Sequence, residues 1–164
     1  MNAIAYDPAK GHLVDLYKGQ KDIKDKIIRA VGNPEERFGE DALRIFRAIR
    51  LSTELGFEIE TETRDAIIKT HSKLSCISIE RIRDEFVRIV MSEHPMRGVE
   101  LAHDLGVLKY VLPELETGIG IEQNAAHSFH VWEHNLRTLQ HGAHKKWTLK
   151  VRLAALLHDV AKPQ

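Results

Sequence analysis

The segment Gly39–Leu51 constrains this chain more than any other, because its spacing fits a helix with one apolar face. At about 100° per residue, a single stripe collects four apolar residues, Ala42, Ile45, Phe46 and Ile49. We therefore predict a helix from Glu40 to Leu55, here called the recognition helix, that ends at Gly56. Its stripe should be buried, and the rest of the chain should pack around it.

Opposite the stripe lie Glu40, Arg44 and Arg47, with Asp41 on its flank, and these charged side chains allow two interpretations. In the first they form a solvated surface, on which Glu40 pairs with Arg44 for a few tenths of a kcal/mol. In the second, Asp41 and Arg44 offer an acceptor beside a fork of donors. Cytosine and adenine present the complementary edge, an exocyclic amine beside a ring nitrogen, whereas uracil and guanine present the reverse order. Such a pair would therefore accept C and A and reject U and G.

Several segments resemble the class II tRNA nucleotidyltransferases (CCA-adding enzymes) and poly(A) polymerases. They are Asn2–Asp7, Asp15–Asp22, Arg29–Asp41 and Glu80–Phe86, followed at the end of the chain by His158-Asp159. In that family a Glu-Asp-x-x-Arg-x-x-Arg helix carries the acid and the arginine that read the incoming CTP or ATP. The resemblance extends over essentially the whole chain.

The resemblance implies a role for each of several residues. Those that would bind the nucleotide are Asp41, Arg44, Arg47 and Asn2. Those that would support them are Glu40, Asp22, Glu80 and Arg81. The last two would lie on a helix that braces the recognition helix from behind, and ordinary surface charge is the alternative for that helix.

Nucleotidyl transfer needs carboxylates that hold metal ions, usually an Asp-x-Asp on a strand after a glycine-rich turn. No Asp-x-Asp occurs in these 164 residues. We therefore expect the chain to lack most of the catalytic head, with Met1 an internal residue used as a start. Mg²⁺ is expected for the full-length enzyme, and the head would be supplied in cis or in trans. The chain alone is expected to recognise a base without joining it.

Six of the ten histidines fall between His127 and His158. Residues His127, His130 and His134 are spaced by three and four, as on one face of a helix. The pair His158-Asp159 resembles the HD superfamily of metal-dependent phosphohydrolases, in which His134, His158 and Asp159 would be the first three ligands.

These ligand types suit Zn²⁺, Mn²⁺, Fe²⁺ or Ni²⁺, but a complete HD site needs a second, distant aspartate. We predict weak binding of a divalent transition metal at most, and no stoichiometric metal in this chain. The alternative is that the same residues are structural remnants of an inactive HD fold.

Length and composition restrict the class of protein but do not indicate a function. With 43% hydrophobic residues the chain is able to form a core, as one domain or two small ones. Lysine plus arginine equals aspartate plus glutamate at 24 each, so RNA contacts must come from local basic patches. The single cysteine, Cys76, excludes an internal disulfide, and no apolar run is long enough for a membrane span. We expect a cytoplasmic protein.

The predicted fold is mainly α with a short N-terminal β-hairpin. We expect three parts: a remnant hairpin of the head at 1–19, a helical nucleotide-recognition and RNA-binding neck at 20–113, and a truncated HD-type domain at 114–164. The hairpin, with strands at Ala3–Tyr6 and Leu13–Leu16, is the only β element expected. Besides the recognition helix, helices are predicted from Gln20 to about Val31, Glu60–Lys69, Ile79–Met91 and Pro95–Leu105, with a loop at Glu114–Ala126.

The favoured function is part of a tRNA CCA-adding enzyme in which Asp41 and Arg44 select CTP and then ATP, with tRNA as the partner. A poly(A) polymerase, which needs only adenine, is the alternative within the same family. An HD-type phosphohydrolase and a catalytically silent helical module that binds RNA or a partner are alternatives of other classes.

Overall fold

The computed structural model describes residues 3–121 and 129–162 and confirms a mainly α fold. The strands are β1 (Ile4–Asp7), β2 (His12–Asp15), β3 (Ile27–Ile28) and β4 (Glu58–Ile59). The α-helices are α1 (Gly19–Lys24), α2 (Pro34–Glu40), α3 (Leu43–Leu55), α4 (Thr61–Thr70), α5 (Ile79–Met91), α6 (Pro95–Asp104), α7 (Pro113–Glu116), α8 (Val131–His144) and α9 (Leu149–Leu157). Short 3₁₀ helices span His71–Cys76 and Leu108–Tyr110. No described helix is both long and apolar enough to cross a membrane.

The predicted N-terminal hairpin is present. Strands β1 and β2 are antiparallel, with Ile4 opposite Asp15 and Asp7 opposite His12. The turn closes because the Asp7 Oδ1 accepts the backbone N–H of Ala9 at 2.9 Å. An aspartate in this position stabilises a turn by binding its own downstream backbone.

The helix predicted from Gln20 to Val31 is wrong beyond Lys24. Helix α1 ends there, Lys26 adopts a left-handed backbone with φ of 56°, and Ile27–Ile28 form strand β3. Strand β3 pairs in parallel with β4, so the hairpin is not the only β element. The β-branched isoleucines favour a strand once a partner strand is available. That partner lies about thirty residues further along the chain, outside the range of a local periodicity.

The recognition helix begins later than predicted. Helix α3 starts at Leu43, and Glu40 is the last residue of a separate helix, α2. Helix α2 begins where a stop was predicted, because Asn33 caps it by accepting the backbone N–H groups of Glu35 and Glu36 at 2.9 and 3.3 Å. Proline at the first helical position favours the same start. The end at Gly56 is confirmed by a left-handed C-cap with φ of 67°.

The later helices follow the predictions closely. Helix α5 has the predicted bounds, and α4 and α6 differ from theirs by one residue at their ends. The predicted loop from Glu114 to Ala126 instead starts inside the short helix α7 (Pro113–Glu116), and its last residues lie outside the described ranges.

The hydrophobic core is built around α3. The predicted stripe is confirmed: Ala42 is 4% exposed, and Ile45, Phe46 and Ile49 are fully buried. Helix α3 packs against α5 and α6, while α8 packs against α6 and α9. A single hydrophobic cluster among the described residues extends from Ile28 to Leu156. The charged start of α3, the histidines of α8 and His158 after α9 are thus carried by one continuous core.

Candidate functional sites

A cavity of about 430 Å³ lies beside the charged side of α3. Three arginines line it, Arg37 from α2 and Arg44 and Arg47 from α3. The other lining residues are Ile28, Ala30, Val31, Phe38, Ala48, Leu51 and Thr63. An apolar floor with several guanidinium groups is typical of a site for an aromatic ring that carries phosphates.

Arg44 is held by groups at the end of α2. Its Nη1 donates to the Glu40 Oε2 at 2.6 Å and to the Arg37 carbonyl oxygen at 3.1 Å. The pair with Glu40 is the one that the solvated-surface interpretation predicted, although Glu40 belongs to a different helix. The Glu40 carboxylate also accepts Arg37, and the hydrogen bonds from Arg44 and then Arg37 lower the pKa of Glu40 below its ordinary value of 4.5.

Asp41 is held from another direction. It lies between α2 and α3, where its Oδ1 accepts the backbone N–H of Leu43 at 3.1 Å. Its Oδ2 accepts Nη2 of Arg81, from α5, at 3.1 Å. The structure thus gives Asp41 and Arg44 separate partners and does not pair them with each other. Arg81, one of the predicted supporting residues, thus contacts Asp41 directly.

The other predicted site residues are distributed unevenly. Arg47 is exposed and has no ion-pair partner in the described part of the chain. Glu80 is exposed and forms no ion pair within residues 3–121 and 129–162. Asp22, on α1, pairs with Nε of Arg29 at 3.1 Å. Asn2 lies outside the described residues.

A buried charge network that the sequence analysis missed joins α3 to α5. Arg50, 4% exposed, donates to Glu54 at 2.7 Å and to Glu85 at 2.6 Å. Glu54 also pairs with Arg88 at 3.1 Å. Arg50 follows the buried Phe46 by four residues, which places it on the same face of the helix, and this spacing was a signal of burial. Its partner on α5 was not visible, because 35 residues separate the two.

The histidine end brings three predicted ligands together. The Nε2 atoms of His134 on α8 and His158 after α9 are 3.0 Å apart. The Oδ2 of Asp159 lies 3.7 Å from the first and 3.5 Å from the second. Such separations are typical of ligand atoms that share an ion at about 2 Å. His130 precedes α8 and is exposed, and His127 lies outside the described residues.

Lys162 also reaches this cluster, since its Nζ lies 2.7 Å from the Asp159 Oδ2. Burial is the largest influence on the pKa of Asp159 and raises it. The hydrogen bond from Lys162 and the charges of His158, Lys162 and His134 together outweigh burial, so the pKa lies below its ordinary value of 3.8. Asp159 is therefore an ionised carboxylate near neutral pH.

The donor atoms present do not fit a catalytic magnesium ion. Mg²⁺ binds oxygen ligands almost exclusively. Among the described residues, the only group of three candidate ligands is His134, His158 and Asp159, in which two of the three donors are nitrogens. This set instead fits a transition metal such as Zn²⁺, Mn²⁺ or Ni²⁺.

Two segments of the chain match known families. Residues 56–119 match the family described as "Probable RNA and SrmB- binding site of polymerase A". Residues 1–29 match the "Poly A polymerase head domain". The second match contains the hairpin, α1 and β3, and the first contains β4 and the helices α4 to α7.

Longer proteins contain relatives of most or all of this chain. The CCA-adding enzyme of Ligilactobacillus salivarius (strain UCC118) is 47% identical over 110 residues, which are 67% of this chain and 27% of that enzyme. The Multifunctional CCA protein of Pseudomonas syringae pv. syringae (strain B728a) is 37% identical over 99% of this chain and 40% of that protein. The chain therefore spans less than half the length of these relatives.

A solved structure has the same fold. The Bacillus stearothermophilus CCA-adding enzyme in complex with CTP superposes with a TM-score of 0.67 and 28% sequence identity. The similarity covers 99% of this chain and 45% of that one.

Proposed function

This chain belongs to the class II CCA-adding enzyme and poly(A) polymerase family, and we propose that it is the base-recognising, RNA-binding part of a tRNA nucleotidyltransferase. In this proposal Asp41 and Arg44 read CTP and then ATP, with Arg47 and Asn2 beside them. Glu40, Asp22, Glu80 and Arg81 are the proposed supporting residues. The single observation that carries the proposal is the placement of Asp41 and Arg44 at the start of α3, each held by a different charged neighbour.

The cavity supports a nucleotide ligand. Its volume of about 430 Å³ lies within the range of about 300–1,000 Å³ that small-molecule sites occupy. Arginines suit the planar edge of a base and the oxygens of a phosphate, because each guanidinium offers several donors in one plane. Arg47, which lines the cavity and has no ion-pair partner among the described residues, is the guanidinium that we assign to phosphate.

The remaining chemistry is assigned to the rest of the head domain. A largely apolar cavity of about 590 Å³ lies between the hairpin, α1 and α3. Nearby, Leu16 is 80% exposed and Ile23 59% exposed. We propose that the remainder of the head, in cis or in trans, covers this face and brings the carboxylates that bind Mg²⁺. In the same proposal the head ends at residue 19, the neck occupies 20–113, and an HD-type domain starts at 114. The compartment we propose is the cytoplasm.

A second candidate function rests on a separate observation. The donor atoms of His134, His158 and Asp159 all lie within 4.8 Å of one another. A bound transition metal would supply Lewis-acid chemistry there, and His134, His158 and Asp159 would hold it. We propose weak metal binding at this cluster, with an HD-type phosphohydrolase as the alternative activity if binding is tight.

The test compares the 164-residue chain with a chimaera in which the head of a CCA-adding relative is fused to it. Purified chain, supplied with tRNA, CTP, ATP and Mg²⁺, should add no labelled nucleotide, because it has no Asp-x-Asp. The chimaera should add C and A. A chimaera that extends RNA with ATP alone would favour the poly(A) polymerase, and an inactive one would contradict the proposal.

Within the active chimaera, Asp41→Ala removes the acceptor that faces the exocyclic amine. Discrimination between CTP and UTP should fall by about 1–3 kcal/mol, as for other paired polar contacts. The control is Glu36→Ala, which removes an exposed carboxylate from α2. If Asp41→Ala leaves the CTP/UTP ratio of kcat/KM unchanged, Asp41 does not read the base.

A further inference from the structure

Arg37, to which the sequence assigned no role, makes an unusual set of contacts on α2. Its Nε donates to the Val31 carbonyl oxygen at 3.0 Å. Its Nη1 donates to both carboxylate oxygens of Glu40, at 3.1 and 3.0 Å. The side chain is thus fixed at one end by the backbone that precedes α2, and at the other it fixes Glu40.

Arg37 reaches Arg44 by two routes. The Arg37 carbonyl oxygen accepts Nη1 of Arg44 at 3.1 Å. The Glu40 Oε2, held by the Arg37 guanidinium, accepts the same Nη1 at 2.6 Å. The four groups close a ring that consists of one carbonyl, one carboxylate and two guanidiniums. Charge-assisted hydrogen bonds of this kind fix geometry more firmly than neutral ones do.

The ring occupies only one nitrogen of Arg44. Among the described residues, neither Nε nor Nη2 of Arg44 has a hydrogen-bond acceptor. These two nitrogens form one edge of the guanidinium fork, the edge that binds a planar partner through two parallel bonds. Arg44 therefore keeps a complete bidentate edge available while its other side is held.

We propose that Arg37 is a positioning residue, which orients the free edge of Arg44 toward a base in the neighbouring cavity and so contributes to nucleotide selection. The role of Arg37 in nucleotide selection rests on the proposed function. Its role in orienting the Arg44 side chain does not depend on that function. The side chains of Arg37 and Glu40 are 42% and 50% exposed, so their pairing contributes little to stability. Arg37 instead restricts the motion of the Arg44 side chain.

The first test uses nuclear magnetic resonance on the 164-residue chain and needs no enzymatic activity. In the wild type the Nε–H group of Arg44 should be rigid on the nanosecond timescale, and Arg37→Met should make it mobile. Arg37→Lys should give an intermediate result, because an ammonium binds Glu40 but cannot also hold Val31 as the fork does. An Arg44 Nε–H group that is equally rigid in Arg37→Met would overturn the inference.

A matched control separates geometry from charge. Lys69→Met also removes one positive charge and also breaks an ion pair with α2, the 2.9 Å contact with Glu35. That contact lies outside the ring, so Arg44 should stay rigid. Mobility of Arg44 in Lys69→Met would show that any charge loss near α2 has this effect, and the inference would fail.

The second test measures nucleotide selection in the chimaera. Arg37→Met should lower the CTP/UTP ratio of kcat/KM by about tenfold, since misplacing a recognition group by about 1 Å costs up to about 100-fold. Lys69→Met should leave the ratio unchanged. An inactive wild-type chimaera counts against the proposed function, and the resonance experiment still decides whether Arg37 holds Arg44. An unchanged ratio in an active Arg37→Met chimaera overturns the role in selection.

Discussion

The two ends of the molecule organise charged groups in opposite ways. At the start of α3, the two proposed recognition residues have different partners: Asp41 pairs with Arg81, and Arg44 pairs with Glu40. At the end of α9, the candidate ligands hold one another, and the imidazoles of His134 and His158 are 3.0 Å apart. The first arrangement leaves the Nε and Nη2 atoms of Arg44 without an acceptor among the described residues, whereas the second directs one donor atom of each residue to one point.

This difference matches the kind of ligand that we propose for each end. A base presents several donors and acceptors along one edge, so it needs recognition groups that are held apart with free atoms in parallel. A metal ion is a point, so it needs donors that converge. Converging donors satisfy one another when no ion is bound, and a metal must displace those contacts. At the histidine end, Lys162 also donates a hydrogen bond to Asp159, so this end should bind a metal ion weakly.

The largest expected effect concerns the brace behind the recognition end. Arg50→Met would leave Glu85 and Glu54 without their buried partner, and breaking such a pair costs about 3–5 kcal/mol of unfolding free energy. Urea denaturation would measure the loss. The control is Arg88→Met, because Arg88 pairs with Glu54 from a side chain that is 57% exposed and should cost less than about 1 kcal/mol. Equal losses would mean that α3 is not braced by the buried pair.

A smaller effect is expected on the unfolding free energy at acidic pH. Its size should differ between the start of α3 and the histidine end. The pKa of Glu40 and the pKa of Asp159 both lie below their ordinary values of 4.5 and 3.8. Each carboxylate therefore contributes stability above its ordinary pKa, and that stability is lost as the pH falls through the lower, folded-state pKa.

The measurement is unfolding free energy from about pH 6 to pH 3 in two variants, Asp159→Asn and Glu40→Gln. The Asp159 side chain is 11% exposed and the Glu40 side chain 50%, so solvent screens Glu40 more strongly. Asp159→Asn should flatten the pH dependence more than Glu40→Gln does. The reverse order would show that the exposed ring around Arg44 is the tighter electrostatic site.

The smallest expected effect is on metal binding. Purified chain should contain no stoichiometric metal, and Ni²⁺ or Mn²⁺ at a concentration near its Kd should raise stability by only about 0.4 kcal/mol, the value of RT ln 2. His134→Ala should abolish this increment, whereas His12→Ala, in the hairpin, should not. Elemental analysis that finds about one metal per chain, lost in His134→Ala, would contradict the prediction and favour the phosphohydrolase.

Part of this structure follows from local sequence alone. The buried stripe of α3, the end of that helix at Gly56 and the bounds of α5 depend on periodicity and capping within a few residues. The convergence of His134 with His158-Asp159 was expected from a resemblance to the HD superfamily, and the structure brings the three residues together.

Only the tertiary structure decided which partner each charged or β-branched residue takes. Ile27–Ile28 became a strand because Glu58–Ile59 lies beside it. Asp41 pairs with Arg81, which is 40 residues away in the sequence, and Arg50 pairs with Glu85, which is 35 residues away. Periodicity reports which face of a helix is buried, but it carries no information on what lies opposite that face. A charged side chain has many possible partners of similar energy, and the packing of α3 against α5 determines which one is within reach.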